Sequence, residues 1–225
     1  MHLSEANRLL DDTHLPMESG WIRHDDGRAH VAVRTNMVGC TARMVEWWFG
    51  FVHTTDHYKW WHPRDHVFSD WQGERGTGRY IGGTHIVHEH FGGGPTLFKL
   101  RINFRDPGRI LDTSRFAAAN VGAAIYARTG PLDRELWVGH TLHLVHDTPD
   151  GCVVRSRFWL GEIEPKPRKL GRAKLLELVP DERVHGLHQH SSEEMAILGS
   201  FLPTLYRMSN PGTCRADSPC GSPIQ

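Results

Sequence analysis

Residues 185–206 read HGLHQHSSEEMAILGSFLPTLY, and their apolar side chains recur with the period of an amphipathic α-helix. The pattern predicts one long helix from about residue 184 to Tyr206, with Pro203 bending or fraying its last turn. Near its start, His190 and Glu194 are four residues apart, so their side chains lie on one face and can converge on one ion. Zinc accepts both ligand types. Because 17 histidines and 26 acidic residues produce such pairs by chance, the spacing alone does not assign a metal site.

The middle of the chain, residues 78–162, has the composition of β-strands. Its β-branched and aromatic runs are 79–81, 84–89, 97–104, 135–145 and 152–160. Turn signals rich in Gly and Pro separate these runs, as in GGGP at 92–95 and DTPDG at 147–151. Ser4 is the predicted N-cap of a short helix through Leu10. A series of strands followed by one helix predicts an α+β fold in which the helix lies across an antiparallel sheet.

Length and charge limit the possible functions. The 225 residues fit a single domain, and no internal linker divides them. Lys and Arg balance Asp and Glu at 26 each, so nothing in the charge favours nucleic acid or an anionic membrane as a partner. The absence of a signal-like segment and of a membrane-spanning apolar run predicts a cytoplasmic protein. The four cysteines form no Cys-x-x-Cys pair, which argues against a disulfide framework and a thiolate zinc site.

Eleven of the 17 histidines form four groups, around residues 62–66, 85–90, 140–146 and 185–190. This distribution is expected if several elements each contribute a side chain to one site, although most of the histidines must be surface or core residues. Four of the eight tryptophans lie between residues 47 and 61, where aromatic rings can fill one wall of the core. Tyr58, His62 and His66 add polar tips to that wall. The combination is typical of a pocket for a flat aromatic ligand.

Four motifs occur in order: YKWWHPRDH at 58–66, GHTLH at 139–143, RSRFWLG at 155–161 and HSSEEM at 190–195. Together they resemble the 2,4-diacetylphloroglucinol hydrolase family, which includes phloretin hydrolase, over about residues 37–206. The resemblance implies a helix-grip fold similar to the Bet v 1 proteins, in which an antiparallel sheet wraps around a long C-terminal helix. It also implies a bound zinc ion and hydrolysis of the carbon–carbon bond between an acyl group and a phloroglucinol-type ring.

Transferred residue by residue, the resemblance implies zinc ligands at His66, Glu89, His190 and Glu194. Glu89 is the one with alternatives, since His85 or His88 could take its place. Strand alternation would put His85 and Glu89 on one face and His88 on the other.

The same resemblance implies that Tyr58 and His143 bind the phenolic oxygens of the substrate and move protons. His140 and His146 would face away from His143 on a regular strand. In the expected chemistry, zinc activates water and polarises the acyl carbonyl, while the polyphenol ring departs with carbanion character. Four protein ligands usually indicate a closed site, so either zinc becomes five-coordinate or a carboxylate gives way to water or substrate.

The predicted organisation is an N-terminal helical or extended segment at 1–36, a helix-grip domain at 37–208 and a disordered tail at 209–225. An acylated polyphenol is the expected partner, and a homodimer is the default assembly. Two other functions remain open: a non-catalytic helix-grip protein that binds a flat aromatic ligand, and a non-haem iron oxygenase with two His and one carboxylate. The short N-terminus, compared with the characterised hydrolases, leaves the exact acyl substrate undetermined.

Overall fold

The architecture was analysed in a computed structural model that describes residues 1–11, 14–73, 76–165 and 171–211. Within these ranges the chain forms one antiparallel sheet of eight strands, ordered β1-β2-β8-β7-β6-β5-β4-β3. The strands are β1 (Gly20–Arg23), β2 (Ala29–Val38), β3 (His66–Gln72), β4 (Thr84–Glu89), β5 (Phe98–Arg105), β6 (Val121–Pro131), β7 (Trp137–Thr148) and β8 (Gly151–Glu164). Strands β1 and β3 form the two edges of the sheet.

Four α-helices accompany the sheet: α1 (Ala42–Phe51), α2 (Thr55–Trp61), α3 (Arg172–Leu178) and α4 (Asp181–Ser209). Helices α1 and α2 have Thr41 and Thr54 as their N-caps. The side chains of these threonines accept hydrogen bonds from the N–H groups of Met44 and His57, respectively. Helix α4 follows every strand in the chain, as the sequence predicts. No helix in the described ranges is both long enough and apolar enough to cross a membrane.

Helix α4 is longer at both ends than its apolar pattern indicates. It begins at Asp181, directly after Pro180, and the acidic residues of its first turn favour the positive end of the helix dipole. It also continues through Pro203 to Ser209, so the predicted fraying there is wrong. Pro203 has no N–H for the carbonyl of Gly199 one turn earlier, and the Cys40 thiol donates to that carbonyl instead, at 3.8 Å.

The two faces of the sheet carry different cores because side chains alternate along each strand. On β6, Ile125 and Ala127 pack with α1, α2 and α4, whereas Ala124 and Tyr126 pack on the opposite face with the N-terminal segment. The inner core includes the fully buried Trp48, Met195, Leu198 and Leu202. An antiparallel sheet packed against a long C-terminal helix confirms the predicted α+β, helix-grip architecture.

The N-terminal segment covers the outer face of the sheet. The helix predicted with Ser4 as its N-cap is instead a 3-10 helix, Leu3–Leu10. Its N-cap is His2, so the prediction of Ser4 as the cap is wrong. The His2 N–H donates to the carboxylate of Glu5 at 2.8 Å, which provides the capping interaction that Ser4 was expected to make. Segment 1–36 also supplies β1 and most of β2 to the common sheet. From residue 212 onward, the predicted tail lies outside the described residues.

Candidate metal centre

The four side chains predicted as ligands lie together in the interior. The Nε2 atoms of His66 and His190 are 3.3 Å apart. Glu194 Oε2 lies 3.7 Å from each of these nitrogen atoms, and Glu89 Oε2 lies 3.8 Å from His66 and 3.9 Å from His190. All four residues are buried. The donor atoms of His66, Glu89 and His190 all lie within 4.8 Å of one another, and Glu194 adjoins this group through the two histidine nitrogens.

Three elements position these groups. His66 opens β3 and pairs directly with Glu89 at the end of β4, so strand register places an imidazole beside a carboxylate. His190 and Glu194 occupy successive turns of α4, and their i, i+4 spacing aims both at the sheet. The site thus forms where the helix crosses the end of the β3–β4 hairpin.

The distances fit a metal ion. A tetrahedral ion with bonds of about 2.0–2.2 Å holds its ligand atoms roughly 3.3–3.6 Å apart, close to the separations observed here. His66 Nδ1 donates to the carbonyl of Tyr58 at 2.7 Å, and His190 Nδ1 donates to Asp65 Oδ2 at 3.1 Å. In its neutral form each ring presents the lone pair of Nε2 to the other, and both lone pairs can bind one cation. Although burial opposes the charged form, the hydrogen bond to Asp65 and the nearby Glu194 and Glu89 raise the pKa of His190, so a proton on its Nε2 can also bridge to His66.

The electrostatics of the cluster also favour a cation. Burial raises the pKa of Glu194 to about 8, and the nearby Glu89 carboxylate contributes to that rise. Burial likewise raises the pKa of Glu89. Burial strongly lowers the pKa of His66, which keeps this ring neutral and able to bind metal. A divalent ion at the centre would compensate the charge of the two buried carboxylates, and the neutral imidazole of His66 could bind it.

Asp65 orients His190, one of the predicted ligands, and was not itself predicted from the sequence. It is fully buried, accepts from His190 Nδ1, and also accepts from Arg64 Nε at 2.9 Å and from the Gly93 N–H at 3.1 Å. Although burial opposes ionisation, these donors hold its pKa well below the usual range. A carboxylate behind a metal-binding histidine is a common arrangement. Its position beside His66 in the HPRDH motif is the signal that could have identified it.

Asp65 also belongs to a second group of possible ligands, formed with His62 and His190. His62 Nε2 already pairs with Glu193 Oε2 at 3.2 Å, and His190 reaches Asp65 through Nδ1, the nitrogen opposite the four-residue cluster. The Nδ1 atom of His190 therefore contacts the Asp65 carboxylate, which fixes the orientation of the ring. Its Nε2 atom faces the four-residue cluster.

Tyr58 lies against the same cluster. Its ring stacks on His66 with centroids 3.6 Å apart, and its hydroxyl donates a short hydrogen bond to Glu89 Oε2. Burial, with the neighbouring Glu89 charge, raises the pKa of Tyr58 well above its ordinary value. The hydroxyl is therefore a proton-bearing group next to a predicted ligand.

An apolar cavity of ≈ 80 Å³ adjoins the cluster. Its polar lining includes Tyr58, Glu89, His143, His190 and Glu194. The apolar part of the lining consists largely of Phe49, Trp61, Phe91, Leu100, Ile102, Phe104, Ile125, Phe158, Leu160 and Leu187. A largely aromatic chamber with a few convergent polar groups is the usual form of a small-molecule site.

His143 stands on β7 in this lining. Its Nδ1 is 2.8 Å from Ser156 Oγ, and burial lowers its pKa to about 3, so the ring is neutral. His140 faces the other side of the sheet, as predicted, where its Nδ1 lies 2.7 Å from the hydroxyl of Tyr126. His146 also faces that side, and its Nδ1 donates to the carbonyl of Ala119 at 2.9 Å.

The geometry separates Glu89 from His85 and His88, the two alternatives for the predicted ligand on strand β4. His85 Nε2 is engaged with Ser69 Oγ at 2.6 Å, and its ring stacks on Trp71. His88 lies on the opposite face of β4, with its ring 4.7 Å from that of Phe68. Of the three, Glu89 has its donor atom among those of His66, His190 and Glu194.

Arg183 and Phe158 are lining residues to which the sequence reasoning gave no role. Arg183 precedes the predicted start of the helix at residue 184 and was therefore not placed on any functional face. Phe158 lies within the RSRFWLG motif, whose alternating pattern indicates a strand but not which face meets the cavity.

Comparisons with known proteins place this geometry in a family context. The model of the DAPG hydrolase PhiG domain matches residues 1–207. The 2,4-diacetylphloroglucinol hydrolase of Pseudomonas protegens is 28% identical over 225 residues, covering 91% of this chain and 73% of that protein. The phloretin hydrolase of Eubacterium ramulus is 28% identical over 197 residues, covering 80% and 68%.

Solved structures similar to this chain include Ara h 8.0201, with a TM-score of 0.49 and 9% identity over 79% of this chain and 99% of that one. Another is the major latex-like protein 151 of Panax ginseng, with a TM-score of 0.47 and 11% identity over 76% and 99%.

Proposed function

Since the chain belongs to the DAPG hydrolase family, we propose that it is a zinc-dependent hydrolase of acylated polyphenols. The bond cleaved joins an acyl carbon to a carbon of a phloroglucinol-type ring. Water supplies a hydroxyl group to the acyl carbon and a proton to the ring carbon, so the products are a carboxylic acid and the deacylated polyphenol.

One observation carries this proposal: the buried donor atoms of His66, Glu89 and His190 lie within 4.8 Å of one another beside an aromatic cavity, with Glu194 Oε2 3.7 Å from both histidine nitrogens. Such a set suits zinc, which binds imidazole nitrogen and carboxylate oxygen. When bound, zinc would act as a Lewis acid towards the acyl carbonyl and lower the pKa of a coordinated water from 15.7 to about 7.

The cavity walls suit the ring of the substrate. Phe49, Trp61 and Phe158 offer aromatic surface, and the largely apolar lining would limit the water around a departing ring that carries negative charge. A polyphenol tolerates that charge because its oxygens share it. The ring therefore needs an apolar enclosure with a few placed polar groups, which this lining provides.

Tyr58 and His143 are the proposed proton-handling residues. Tyr58 holds its proton strongly and shares it with Glu89, so its hydroxyl can donate to a phenolic or acyl oxygen. His143 is neutral and engages Ser156 through Nδ1, which leaves Nε2 for a phenolic oxygen or for the ring carbon that receives a proton. Their positions in one lining make both available to one bound ring.

Glu89 is the proposed ligand that gives way when water or substrate enters. Its Oε2 is the most distant donor from the two histidine nitrogens, at 3.8 and 3.9 Å, and it also accepts the hydrogen bond of Tyr58. An oxygen already shared with a hydroxyl binds a metal less strongly. This would open the coordination position that a catalytic zinc site requires.

Elemental analysis of the purified protein, beside an assay of a chelated sample on an acylphloroglucinol, tests the proposal. About one zinc per chain, with acid release that chelation abolishes and zinc restores, is the expected result. Absence of a stoichiometric metal would instead support a ligand-binding protein, and stoichiometric iron with a requirement for O₂ would support an oxygenase.

A further inference from the structure

Arg183 is the one lysine or arginine in the lining of the aromatic cavity, within the described residues. It lies in the first turn of α4, on the helix that also carries His190 and Glu194. Its charge therefore stands in a chamber whose walls are mainly aromatic and aliphatic.

The guanidinium has few partners in the protein. Nη1 donates to the carbonyl of Leu178 at 3.3 Å, and the group lies over the Phe98 ring at 4.9 Å from its centroid. Within the described ranges no carboxylate oxygen comes within 4.0 Å of it. By contrast, the buried Arg155 and Arg157 each hydrogen-bond the Glu18 carboxylate at 2.9 Å.

This arrangement leaves Arg183 without an ion-pair partner among the described residues and with one hydrogen bond to the protein. Arginine has five N–H donors and stays protonated in proteins. Burial lowers the pKa of Arg183, and the Glu89 carboxylate opposes that effect from a distance. Since Glu89 is directed to Tyr58 and to the ligand cluster, it does not neutralise Arg183. A half-buried cation without a paired anion is costly unless a ligand provides one.

We propose that Arg183 binds an ionised ring oxygen of the substrate, so that the protein takes its acylated polyphenol as the phenolate. This inference rests on the proposed function, because it names the form of the substrate that the same cavity accepts.

The chemistry of the substrate gives this contact its value. A hydroxyl conjugated with an acyl group is acidic, because the carbonyl withdraws the resulting negative charge. The same ring oxygens carry the charge that develops when the acyl carbon separates from the ring. A guanidinium beside one of them stabilises both the bound anion and the departing ring. A neutral hydrogen-bonding residue would offer less to either state.

The test uses 2-nitrophloroglucinol, in which a planar nitro group replaces the acyl group and leaves no acyl–ring bond to hydrolyse. Its neutral and ionised forms absorb differently, so one spectrophotometric titration gives the affinity for each form and the pKa of the bound probe. Arg183→Gln removes the charge, and Arg183→Lys retains it without the planar fork. Arg101→Gln is the matched control, since Arg101 lies over Trp137 and is not part of the lining.

For the wild-type protein the ionised probe should bind more tightly than the neutral probe, and binding should lower the probe pKa. Arg183→Gln should weaken binding of the ionised form roughly 10–100-fold and leave binding of the neutral form nearly unchanged. Arg183→Lys should recover part of the loss, and Arg101→Gln should behave as wild type.

Two controls separate Arg183 from its surroundings. The other titratable groups that share the lining are Tyr58, His85, Glu89, His140, His143, His190 and Glu194, and all remain in both arginine variants. Their effects therefore cancel in the comparison with wild type. Measurements on zinc-loaded and chelated protein separate the attraction of the metal for the anion from that of the arginine.

An equal preference for the ionised probe in wild type and Arg183→Gln would overturn the inference, as would a wild-type protein without that preference. If circular dichroism shows that Arg183→Gln does not fold, two other measurements test the inference. They are the preference of the wild-type protein for the ionised probe and the reduction of that preference in Arg183→Lys. Hydrolysis of an acylphloroglucinol is measured separately. A protein that prefers the anion but does not hydrolyse would retain the Arg183 site and refute the proposed function.

Discussion

At the scale of single residues, the two ligands on α4 provide the clearest test of the metal centre. We expect His190→Ala and Glu194→Ala each to lose zinc while the chain remains folded. Each substitution removes one of four donors, and the helix around it is held by the buried Met195, Leu198 and Leu202. Elemental analysis measures the metal, and circular dichroism measures the fold.

The matched control for these variants is His188→Ala. His188 is on the same helix, but its Nε2 lies 3.1 Å from the Ser19 hydroxyl and away from the cluster. It should retain zinc. Full zinc content and normal activity in His190→Ala or Glu194→Ala would refute their assignment as ligands.

His143 separates metal binding from turnover. His143→Ala should retain zinc and reduce kcat by roughly 10²–10⁴-fold, the usual contribution of a positioned proton-transfer group. Steady-state kinetics and metal content measure the two effects. The comparison variant is His146→Ala on the same strand, where the ring faces the other side of the sheet and bonds to Ala119. Loss of activity to the same extent in both variants would indicate a structural role for this strand instead.

The residues that sequence alone could identify were those inside recognisable motifs. The motifs carry Tyr58, His66, His143, His190 and Glu194, and the structure brings these side chains to one cluster and its cavity. Their roles remain predictions. Asp65 lies inside a motif, but its contact with Nδ1 of His190 is a three-dimensional fact, as is the lack of a carboxylate partner for Arg183 within the described residues. Spacing along a chain does not contain that information.

At the scale of elements, the cap of α2 controls a short helix that carries Tyr58. The Thr54 hydroxyl accepts from the His57 N–H at 3.1 Å, and α2 has only seven residues. Thr54→Ala should lower the free energy of unfolding by about 1 kcal/mol, measured by urea denaturation. Thr54→Ser keeps the oxygen and should stay close to wild type. Equal losses in both variants would mean that the threonine methyl group matters more than the cap.

The strands show why sequence patterns identified only part of the sheet. Strands β4, β5, β7 and β8 overlap predicted runs, because their β-branched and aromatic content is high. Strand β6 includes Ala123, Ala124 and Ala127, and alanine is weak evidence for a strand. The predicted strand at 79–81 is not formed, since Tyr80 packs instead against Phe49 and Phe104 from a turn. Strands β1, β2 and β3 lay outside the predicted region and were missed.

At the scale of the whole molecule, Glu18 joins the N-terminal segment to the outer face of the sheet. Its carboxylate pairs with Arg155 and Arg157 on β8, at 2.9 Å each. Burial opposes its ionisation, but the Leu15 N–H and the two arginines lower its pKa below 4.5. The folded state therefore binds this proton less readily than the unfolded state. The resulting stability is present above about pH 4.5 and decreases as the pH falls through the folded-state pKa.

We therefore expect Glu18→Gln to be less stable than wild type at neutral pH by about 1–3 kcal/mol, because it leaves the buried Arg157 without a charge partner. The difference in unfolding free energy between wild type and Glu18→Gln should decrease as the pH falls below the usual pKa of Glu18. Denaturant titrations at several pH values provide the measurement. Glu5→Gln, which removes an exposed pair with Arg8, should have little effect at any pH. A Glu18 difference that is independent of pH would show that charge is not the cause.

The separation of the ligands along the chain also has a consequence for biosynthesis. His190 follows His66 by 124 residues, so a ribosome that adds roughly 5–20 residues per second exposes the two at least several seconds apart. During that interval the nascent chain has two of the four donors, His66 and Glu89, on adjoining strands. Complete coordination begins only when α4 has been translated and has docked. If the proposed zinc centre is correct, metal acquisition would therefore be a late step in maturation, after the sheet has been synthesised.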